Sequence, residues 1–408
     1  MESPSPQASQ TPANHHRQPK QKQPENRQPD WQQEGAAHFH VGDAFFRTSS
    51  QTGRNLAILA AIAHKQRTGN LRIIDAMTGC GVRPLRYVLE ADADYVWANE
   101  GNGDLHHTLT TNLSQSLPPE RYRITHQDAN ALFFDCHQRQ DFYDLIDIDS
   151  FGSPMPTLST SLWAIKLGGL LYLTSTDGRA TSGHAPNKSL QTYGAYARSH
   201  PAAHEQGLRL LVGNAVQQAA ARGLSAQPVF SFYKGEVNRV MMRITRQPSW
   251  DTAHYGFLAY CHSCGQFQTI PWKKLGRVSC PCAAEESPVL SGPLWLGPLH
   301  NRNELQAMIA IARRKQESQK QESQKQDSQW QTCHKLLDLM QTEIDLPPYH
   351  YPLAEIGRRG KMDIPPRQQL IQKLCQQGFT ATATHISSQA IKTNAPIATC
   401  IQLAKTAN

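Results

Sequence analysis

The sequence predicts an α/β fold with a mostly parallel β-sheet, followed by a smaller α+β domain. Three observations support this prediction. Short apolar runs alternate with helical stretches between residues 56 and 222, which is typical of repeated βαβ units. An apolar run that ends in an acid precedes a Gly-x-Gly turn within residues 73–81. Two later apolar runs are joined through Gly235 and are expected to close the sheet as an antiparallel hairpin.

The predicted strands are short and separated by helices. We expect strands at residues 71–76, 95–98, 123–125, 143–148, 169–175, 228–233 and 238–244, then a short one at 378–382. We expect helices at residues 56–66, 83–90, 155–166, 204–222, 336–340 and 367–375. Five strands joined by helices and then a hairpin is the order of a class I methyltransferase, a Rossmann-like fold with a seven-stranded sheet. Another doubly wound sheet has the same strand count, so this order alone does not decide the function.

The 408 residues suit two or three domains. Residues 1–34 are rich in Gln and Pro with Trp31 as their single aromatic, which predicts a disordered tail. The α/β domain is expected over residues 35–247 and the C-terminal domain over residues 248–408. A Gln-rich insertion at residues 316–329 is expected to be a solvated helix extension or a loop.

Charge and hydropathy restrict the partners and the location. The net charge of +8 divides into 0 for residues 1–34, +1 for residues 35–234 and +7 for residues 235–408. This bias favours a polyanionic partner, although a modest excess also serves solubility. No apolar run approaches the ~18 to 20 residues that cross a bilayer, which excludes a transmembrane protein. With no secretory leader at the start, a reduced cytoplasmic location is expected.

Four of the nine cysteines have metal-ligand spacing. Cys261 and Cys264 form C-x-x-C, and Cys280 and Cys282 form C-x-C. Two thiolate pairs on two turns are typical of a tetrahedral structural zinc, which leaves no open position for catalysis. A redox pair would not explain four thiols, while structural cysteines without a metal remain an alternative. Basic residues interleaved with aromatics surround this motif and suit phosphate contacts together with base stacking, while the aromatics could equally form the core of the small domain. The basic residues are Arg239, Arg243, Arg246, Lys273, Lys274 and Arg277.

The loop I-I-D-A-M-T-G-C-G-V-R at residues 73–83 predicts a cofactor site. Asp75 ends a strand, and Gly79 and Gly81 would allow a ligand to approach the backbone closely. A dinucleotide fingerprint requires a third glycine where this chain has Pro84, which favours S-adenosylmethionine over a nicotinamide cofactor. By itself the motif is also compatible with a plain structural turn.

Two further acids strengthen the cofactor prediction. Glu100 ends the second strand of the βαβ series, where a carboxylate can accept hydrogen bonds from both ribose hydroxyls of a nucleoside. Asp128 ends the third strand, where an adenine amine would lie, with the Ala129 backbone beside it. The alternatives are a helix cap, a surface acid, or an acidic rim that binds a cation.

The motif D-I-D-S-F-G-S-P at residues 147–154 predicts a catalytic loop for methylation of an exocyclic amine. Such an amine is a poor nucleophile, and hydrogen bonds to a carboxylate and a carbonyl orient its lone pair. Asp149 is the candidate carboxylate, the Ser150 carbonyl the second acceptor, and Phe151 a platform for a flipped base. Asp147 is expected to point to the other face of the strand. A structural Asp in a tight turn is the alternative.

These residues resemble one family, the tRNA (guanine-N2)-dimethyltransferases, which modify guanine 26. The resemblance extends from residue 39 to the C-terminus and rests on motifs at residues 147–154, 168–177 (G-G-L-L-Y-L-T-S-T-D), 235–240 (G-E-V-N-R-V), 292–299 (G-P-L-W-L-G-P-L) and 384–396 (T-H-I-S-S-Q-A-I-K-T-N-A-P). It implies a tRNA substrate, S-adenosylmethionine as methyl donor, and a tRNA-holding C-terminal domain. The phosphate binders would be Arg358, Arg359, Lys361, Arg367, Lys373 and Lys392.

The resemblance also assigns roles in the site. Arg54 is the residue expected to hold the methionine carboxylate, and Arg83, Glu100, Asp128 and Ala129 match the other cofactor contacts. Asp149 matches the catalytic acid. Two positions depart from the family, which usually has proline at Ser150 and an acid at Asn55. Methylation of another RNA guanine or adenine, and an RNA-binding protein that has lost turnover, are the alternative functions.

Overall fold

The computed structural model describes residues 31–246, 251–282, 287–322 and 329–406. Its first part contains β1 (Trp31–Glu34), β2 (Ala37–His40), α1 (Gln51–Thr68), β3 (Arg72–Asp75), α2 (Val82–Ala91), β4 (Tyr95–Asn99), α3 (His106–Ser116), β5 (Tyr122–Thr125), α4 (Ala129–Gln138), β6 (Tyr143–Asp149), α5 (Met155–Ser161), β7 (Ile165–Ser175), α6 (Gly178–Thr181), α7 (Pro186–Tyr193), α8 (Ala203–Ala220), β8 (Ser225–Lys234) and β9 (Val237–Thr245).

The second part contains shorter strands and five helices within the described ranges. They are β10 (Tyr255–Tyr260), β11 (Phe267–Ile270), β12 (Val289–Trp295), α9 (Arg302–Glu322), α10 (Gln329–Thr342), β13 (Tyr351–Pro352), α11 (Leu353–Gly360), α12 (Arg367–Gln376), β14 (Ala381–Ala383), β15 (Ala390–Thr393) and α13 (Ile397–Lys405). None of the described helices is both long enough and apolar enough to span a membrane.

Seven strands form the central sheet in the order β5-β4-β3-β6-β7-β9-β8. The strands from β5 to β7 are parallel, whereas β9 is antiparallel to both β7 and β8. This is the predicted Rossmann-like sheet with a closing hairpin, so the predicted fold class is confirmed. Because all five parallel strands end at one edge, the loops that follow them lie together there.

Both faces of the sheet are buried, since successive strand residues point to opposite sides. Ile73 of β3 packs in the cluster that includes Leu56 of α1, whereas Ile74 packs in the cluster that includes Leu211 of α8. A third cluster forms the C-terminal core, where α11, α12 and α13 pack with two three-stranded antiparallel sheets, β11-β10-β12 and β13-β15-β14.

Several observed elements extend beyond their predicted bounds, and two predictions conflict with strands of the structure. The helix predicted over residues 155–166 ends at Ser161, because the chain joins the sheet just after it: the Tyr143 N–H of β6 donates to the Ala164 carbonyl, and Tyr143 pairs with Ile165 of β7. Within the predicted tail, residues 31–34 form β1, which pairs with β2. Residues 1–30 lie outside the described residues.

The helices α9 and α10 pack on α1 and belong to the core of the α/β part, although they were expected in the C-terminal domain. Met308 of α9 and Leu337 of α10 are fully buried there. The start of the Gln-rich insertion continues α9 as far as Glu322, and residues 323–328 lie outside the described ranges. The expected domain boundary at residues 247–248 also lies outside them.

Candidate active site

A cavity of about 480 Å³ opens at the carboxyl edge of the sheet, beyond β3, β4 and β6. Open α/β sheets bind ligands at this edge. Seven of the predicted cofactor and catalytic residues border the cavity: Arg54, Gly79, Arg83, Glu100, Asp149, Ser150 and Phe151. The four that do not are Asp75, Gly81, Asp128 and Ala129.

Asp75 lies beneath the cavity and supports the turn that forms its floor. It is fully buried and accepts a hydrogen bond from Thr78 Oγ1 at 2.8 Å. Burial, together with the nearby Asp147 carboxylate, raises the pKa of Asp75 well above its ordinary value. Gly81 supports the same turn from behind, with φ at 85°, and a Cβ atom there would lie 2.6 Å from Leu113 Cδ1. Both residues therefore support the loop and do not border the cavity.

Glu100 faces the cavity and is oriented by backbone donors. The Gly79 N–H donates to its Oε2 at 2.8 Å, and the Asn102 N–H donates to its Oε1 at 3.0 Å. A carboxylate oxygen has two lone pairs, so each oxygen retains a free acceptor site. The carboxylate is thus held in place and can still accept hydrogen bonds from two hydroxyls.

Asp128 is an exposed helix cap in this structure. Its Oδ1 accepts hydrogen bonds from the Asn130 and Ala131 N–H groups at 2.9 and 3.2 Å, at the start of α4. Ala129 is buried as the first residue of that helix. The contacts of Asp128 are thus those of a helix cap, the alternative that the sequence left open. Because Asp128 does not border the cavity, its role in cofactor binding stays a prediction.

Arg54 has a carboxylate partner that the sequence pattern did not reveal. Its guanidinium makes a two-pronged contact with Glu34, through Nε at 2.6 Å and through Nη2, and lies over the Phe46 ring. Burial opposes ionisation of Glu34, but Arg54 and Arg86 outweigh it and lower the pKa of this carboxyl. The family usually has an acid where this chain has Asn55. Here Glu34, which the sequence placed in the disordered tail, is the acid that pairs with Arg54.

Arg83 bridges two acids of the catalytic strand. Its Nη1 donates to Asp147 Oδ2 at 2.8 Å and its Nη2 donates to Asp149 Oδ2. The expectation that Asp147 points to the opposite face is wrong, because residues two apart in a strand share a face. The Tyr87 hydroxyl also donates to Asp147, at 2.7 Å. Asp147 is fully buried, whereas the Asp149 side chain keeps 28% of its surface exposed and borders the cavity.

The electrostatics of the two acids differ. Burial raises the pKa of Asp147 despite its pairing with Arg83. For Asp149 burial acts in the same direction, but the positive charges of Arg83 and Arg239 outweigh it and lower the pKa. Asp149 is therefore an ionised acceptor at neutral pH.

An aromatic pair stands at the mouth of the cavity. Phe151 is 73% exposed, and its ring meets Phe45 edge-on with centroids 4.9 Å apart. Phe45 is also exposed, so the two rings form one contiguous apolar surface, a feature that is typical of binding sites. The sequence pattern predicts Phe151 as a base platform but does not single out Phe45.

The catalytic loop is held by hydrogen bonds on its far side. The Gly152 N–H donates to Thr176 Oγ1 and the Thr176 N–H donates to the Gly152 carbonyl, both at 2.8 Å. Ser175 Oγ donates to the same carbonyl at 3.1 Å, and Ser150 Oγ donates to the Thr174 carbonyl at 3.4 Å. These bonds restrict the loop where the family usually has a proline.

Arg239 is a buried cation behind Asp149, not a surface group near the cysteines as the sequence suggested. It lies on β9, packs against Gly53 of α1, and donates from Nη2 to Ser50 Oγ at 2.9 Å. Its Nε has no hydrogen-bond acceptor among the described residues. The G-E-V-N-R-V motif contained this residue, but only the long-range packing assigns it to the site.

The four clustered cysteines converge after β10 and before β12. All four Sγ atoms lie within 4.8 Å of one another, with Cys261 and Cys282 3.7 Å apart and Cys264 and Cys280 3.4 Å apart. Sulfur atoms on a tetrahedral zinc are separated by about 3.8 Å for Zn–S bonds of about 2.3 Å. The donor set thus fits a structural zinc.

A model of the N2,N2-dimethylguanosine tRNA methyltransferase family matches residues 29–405. The chain belongs to this family. Its relatives include the tRNA (guanine(26)-N(2))-dimethyltransferases of Pyrococcus abyssi, 27% identical with 88% of this chain and 92% of the relative covered, and of Pyrococcus horikoshii, 29% identical with 82% and 86% covered. The structure of Trm1 from Pyrococcus horikoshii with S-adenosyl-L-methionine has a TM-score of 0.76 and 27% identity, covering 91% of this chain and 99% of that one.

The phosphate binders that the family resemblance implies are not equally placed for RNA. Lys392 is buried and donates to Glu205 Oε1 at 2.5 Å, so it is a structural counter-ion. Arg359 is committed to Glu355 and to the Ser263 and His262 carbonyls beside the cysteine cluster. Arg358, Lys361, Arg367 and Lys373 are on the surface, although Arg358 pairs with Glu355, and Arg367 and Lys373 donate to backbone carbonyls.

Proposed function

We propose that this protein transfers methyl groups from S-adenosylmethionine to the N2 amine of guanine 26 in tRNA. Family membership supports the chemistry, and the relatives that share most of the chain carry this activity in their names. The observation that carries the proposal is Asp149, an ionised carboxylate that borders the same cavity as an exposed aromatic pair and the nucleoside-type acceptor Glu100.

The cavity suits the methyl donor. Glu100 offers two oriented oxygens to ribose hydroxyls, Gly79 allows close approach, and Arg54 offers a fixed cation to the methionine carboxylate. We assign Asp75 and Gly81 to the support of this loop, and Asp128 and Ala129 to the adenine end of the site. When bound, S-adenosylmethionine supplies an electrophilic methyl group on a sulfonium.

Asp149 orients the acceptor amine. Its carboxylate accepts a hydrogen bond from the guanine N2 amine and the Ser150 carbonyl accepts the second, which directs the nitrogen lone pair towards the methyl group. The Phe45 and Phe151 rings hold the flipped base. As the N–C bond forms, the bond between the methyl carbon and the sulfonium sulfur breaks and its electron pair stays on sulfur as a neutral thioether, while one amine proton passes to an Asp149 oxygen. Arg83 keeps Asp149 ionised and in position, and we treat it as a positioning residue.

A covalent thiol intermediate is not required. Cys80 borders the cavity, but burial raises the pKa of its thiol to about 11, so the thiol is protonated at neutral pH. The acceptor is moreover an amine nitrogen, which is methylated directly once its lone pair is oriented.

tRNA is the partner that we propose for the C-terminal part. The excess of positive charge lies in residues 235–408, and a zinc bound by the four cysteines would stabilise the fold there without entering the reaction.

The test is methylation of an unmodified tRNA transcript with labelled S-adenosylmethionine, followed by digestion and identification of the nucleoside. We expect N2,N2-dimethylguanosine or N2-methylguanosine at position 26, and no label in a transcript with adenine there. Label at another guanine or adenine would contradict the site assignment. No product, with cofactor and tRNA both bound, would instead indicate a binding protein without turnover.

A further inference from the structure

A second cavity, of about 510 Å³, lies on the other side of the catalytic loop. It is bordered by the segment that follows β7, by the hairpin between β8 and β9, and by the first turn of α8. None of the predicted catalytic or cofactor residues borders it. Its size is within the range of about 300–1,000 Å³ that is typical of ligand sites.

The cavity contains a platform suited to a nucleobase. The His204 and Tyr233 rings are stacked, with centroids 4.2 Å apart and an angle of 19° between their planes. Burial, and to a smaller extent the nearby His350, lower the pKa of His204, so this ring is neutral at physiological pH. Aromatic faces of this kind stack on bases with little dependence on sequence.

A cation stands beside this platform. Arg179 borders the cavity, is exposed, and its guanidinium makes no hydrogen bond or ion pair with another described residue. A guanidinium without a partner can bind a phosphate, and the adjacent rings can stack on a base, so the two together suit one nucleotide.

Asn238 provides an independent indication of a ligand. This residue of the G-E-V-N-R-V motif borders the cavity and is only 2% exposed, and its Oδ1 has no hydrogen-bond partner among the described residues. Leaving a buried polar atom unpaired costs about 1–3 kcal/mol, so this atom requires a partner, which an ordered water or a polar group of a ligand in the cavity would supply. Asn238 pairs in register with Tyr233, which places it at the base of the platform.

Thr176 connects this cavity to the catalytic loop. It borders the second cavity and makes two hydrogen bonds to Gly152, adjacent to Phe151 of the first cavity. The two cavities are therefore neighbours on one edge of the sheet, separated by the loop that carries Asp149.

We propose that the second cavity holds a nucleotide adjacent to the target guanine in tRNA, with its base against His204 and Tyr233 and its phosphate on Arg179. This inference rests on the proposed function. A guanine flipped into the first cavity pulls its neighbours out of the helical stack, and a fixed position for one of them sets the register of the target.

The experiment compares Arg179→Ala and His204→Ala with Arg139→Ala, using the full-length protein and an unmodified tRNA transcript. Arg179 is exposed, and His204 is a surface residue whose ring is only partly covered, by Tyr233, so neither change removes core packing. Arg139 follows the end of α4 and borders neither cavity, and among the described residues its side chain pairs with Asp135 at the surface. The readouts are tRNA affinity over a salt series, steady-state methylation, and crosslinking of 4-thiouridine placed on either side of position 26.

We expect Arg179→Ala to raise the Kd for tRNA about tenfold and to lower the slope of log affinity against log salt by about one. The KM for tRNA should rise while the affinity for S-adenosylmethionine stays unchanged. His204→Ala should reduce affinity without changing the salt slope, and the crosslink should map to peptides containing His204 or Tyr233.

Wild-type affinities in both variants, an equal loss in Arg139→Ala, or crosslinks confined to other peptides would overturn the inference. These outcomes are distinct from failure of the proposed function, which would appear as absence of methylated nucleoside with the wild-type protein. Binding and crosslinking test the second cavity even in that case.

Discussion

Replacing Arg83 with glutamine leaves Asp147 and Asp149 without the guanidinium that bridges them. If Asp147 stays ionised, the loss of its buried partner costs about 3–5 kcal/mol. If Asp147 or Asp149 takes up a proton instead, its protonation at pH 7 costs about 4 kcal/mol. An ordinary carboxyl has a pKa near 4, about three pH units below pH 7, and each unit corresponds to 1.36 kcal/mol. Because the two costs are similar at pH 7, the ionised and the protonated form of the variant should be about equally populated there. We therefore expect the acids of the variant to titrate near neutral pH.

The consequence is a displaced pH profile. In the wild type the pKa of Asp149 is lowered, so the carboxylate is lost only as the pH falls below the ordinary range of an aspartate. In Arg83→Gln burial is no longer opposed by this cation, so the pKa of Asp149 rises. An acid that titrates near neutral pH is about half protonated at pH 7, so activity should fall by at least about twofold there and recover as the pH increases. The assay is the single-turnover rate of methyl transfer between pH 5.5 and 9, with both substrates saturating.

Arg86→Gln is the matched control. Arg86 is also fully buried and paired with two acids, Glu34 and Glu90, but it touches neither Asp147 nor Asp149. Both variants should lose a similar free energy of unfolding, while only Arg83→Gln changes the pH profile. A wild-type pH profile in Arg83→Gln, with the same loss of stability as the control, would refute the positioning role and leave Arg83 a structural residue.

Three further substitutions test other parts of the site. Asp149→Ala should leave S-adenosylmethionine binding intact and slow methyl transfer by at least ~100-fold, and a near-normal single-turnover rate would contradict its assignment. Glu34→Gln removes the charge partner of Arg54, so calorimetry should show weaker S-adenosylmethionine binding, whereas unchanged affinity would mean that Phe46 and the Arg47 carbonyl suffice to hold Arg54. Cys261→Ser should lower the zinc content measured by elemental analysis and reduce the melting temperature; the exposed Cys375→Ser is its control, and equal zinc in both would disprove the metal site.

The sequence predicted those features that depend on local periodicity. The strands of the central sheet and the turn at residues 73–81 follow from short apolar runs and glycine spacing, and the structure has them. The period of two also implies that Asp147 and Asp149 share a face, so the expectation that Asp147 points to the opposite face was wrong. Asp75 shows a different limit, because the pattern locates an acid at a strand end but does not distinguish a cavity wall from a buried support.

Long-range contacts account for what the sequence could not show. Glu34 reaches Arg54 only because β1 folds back on β2, and Arg239 reaches Asp149 only through the register of β9 with β7. The helices α9 and α10 carry apolar faces that could cover any core, and their position against α1 depends on the return of the chain from the C-terminal part.

Lys392 shows how the C-terminal part is tied to the catalytic part. It was expected at an RNA surface, yet it is the buried counter-ion of Glu205 on α8, which also pairs with Arg209 and His350. Positive charges outweigh the effect of burial and hold the pKa of Glu205 well below its ordinary value.

Buried ion pairs add little net stability compared with apolar packing, but any rearrangement that separates them is costly. Since the first turn of α8 also borders the second cavity, this cluster fixes the C-terminal part relative to the surface on which we place the nucleotide beside the target. An RNA held by the C-terminal part would therefore reach the catalytic loop in a defined register.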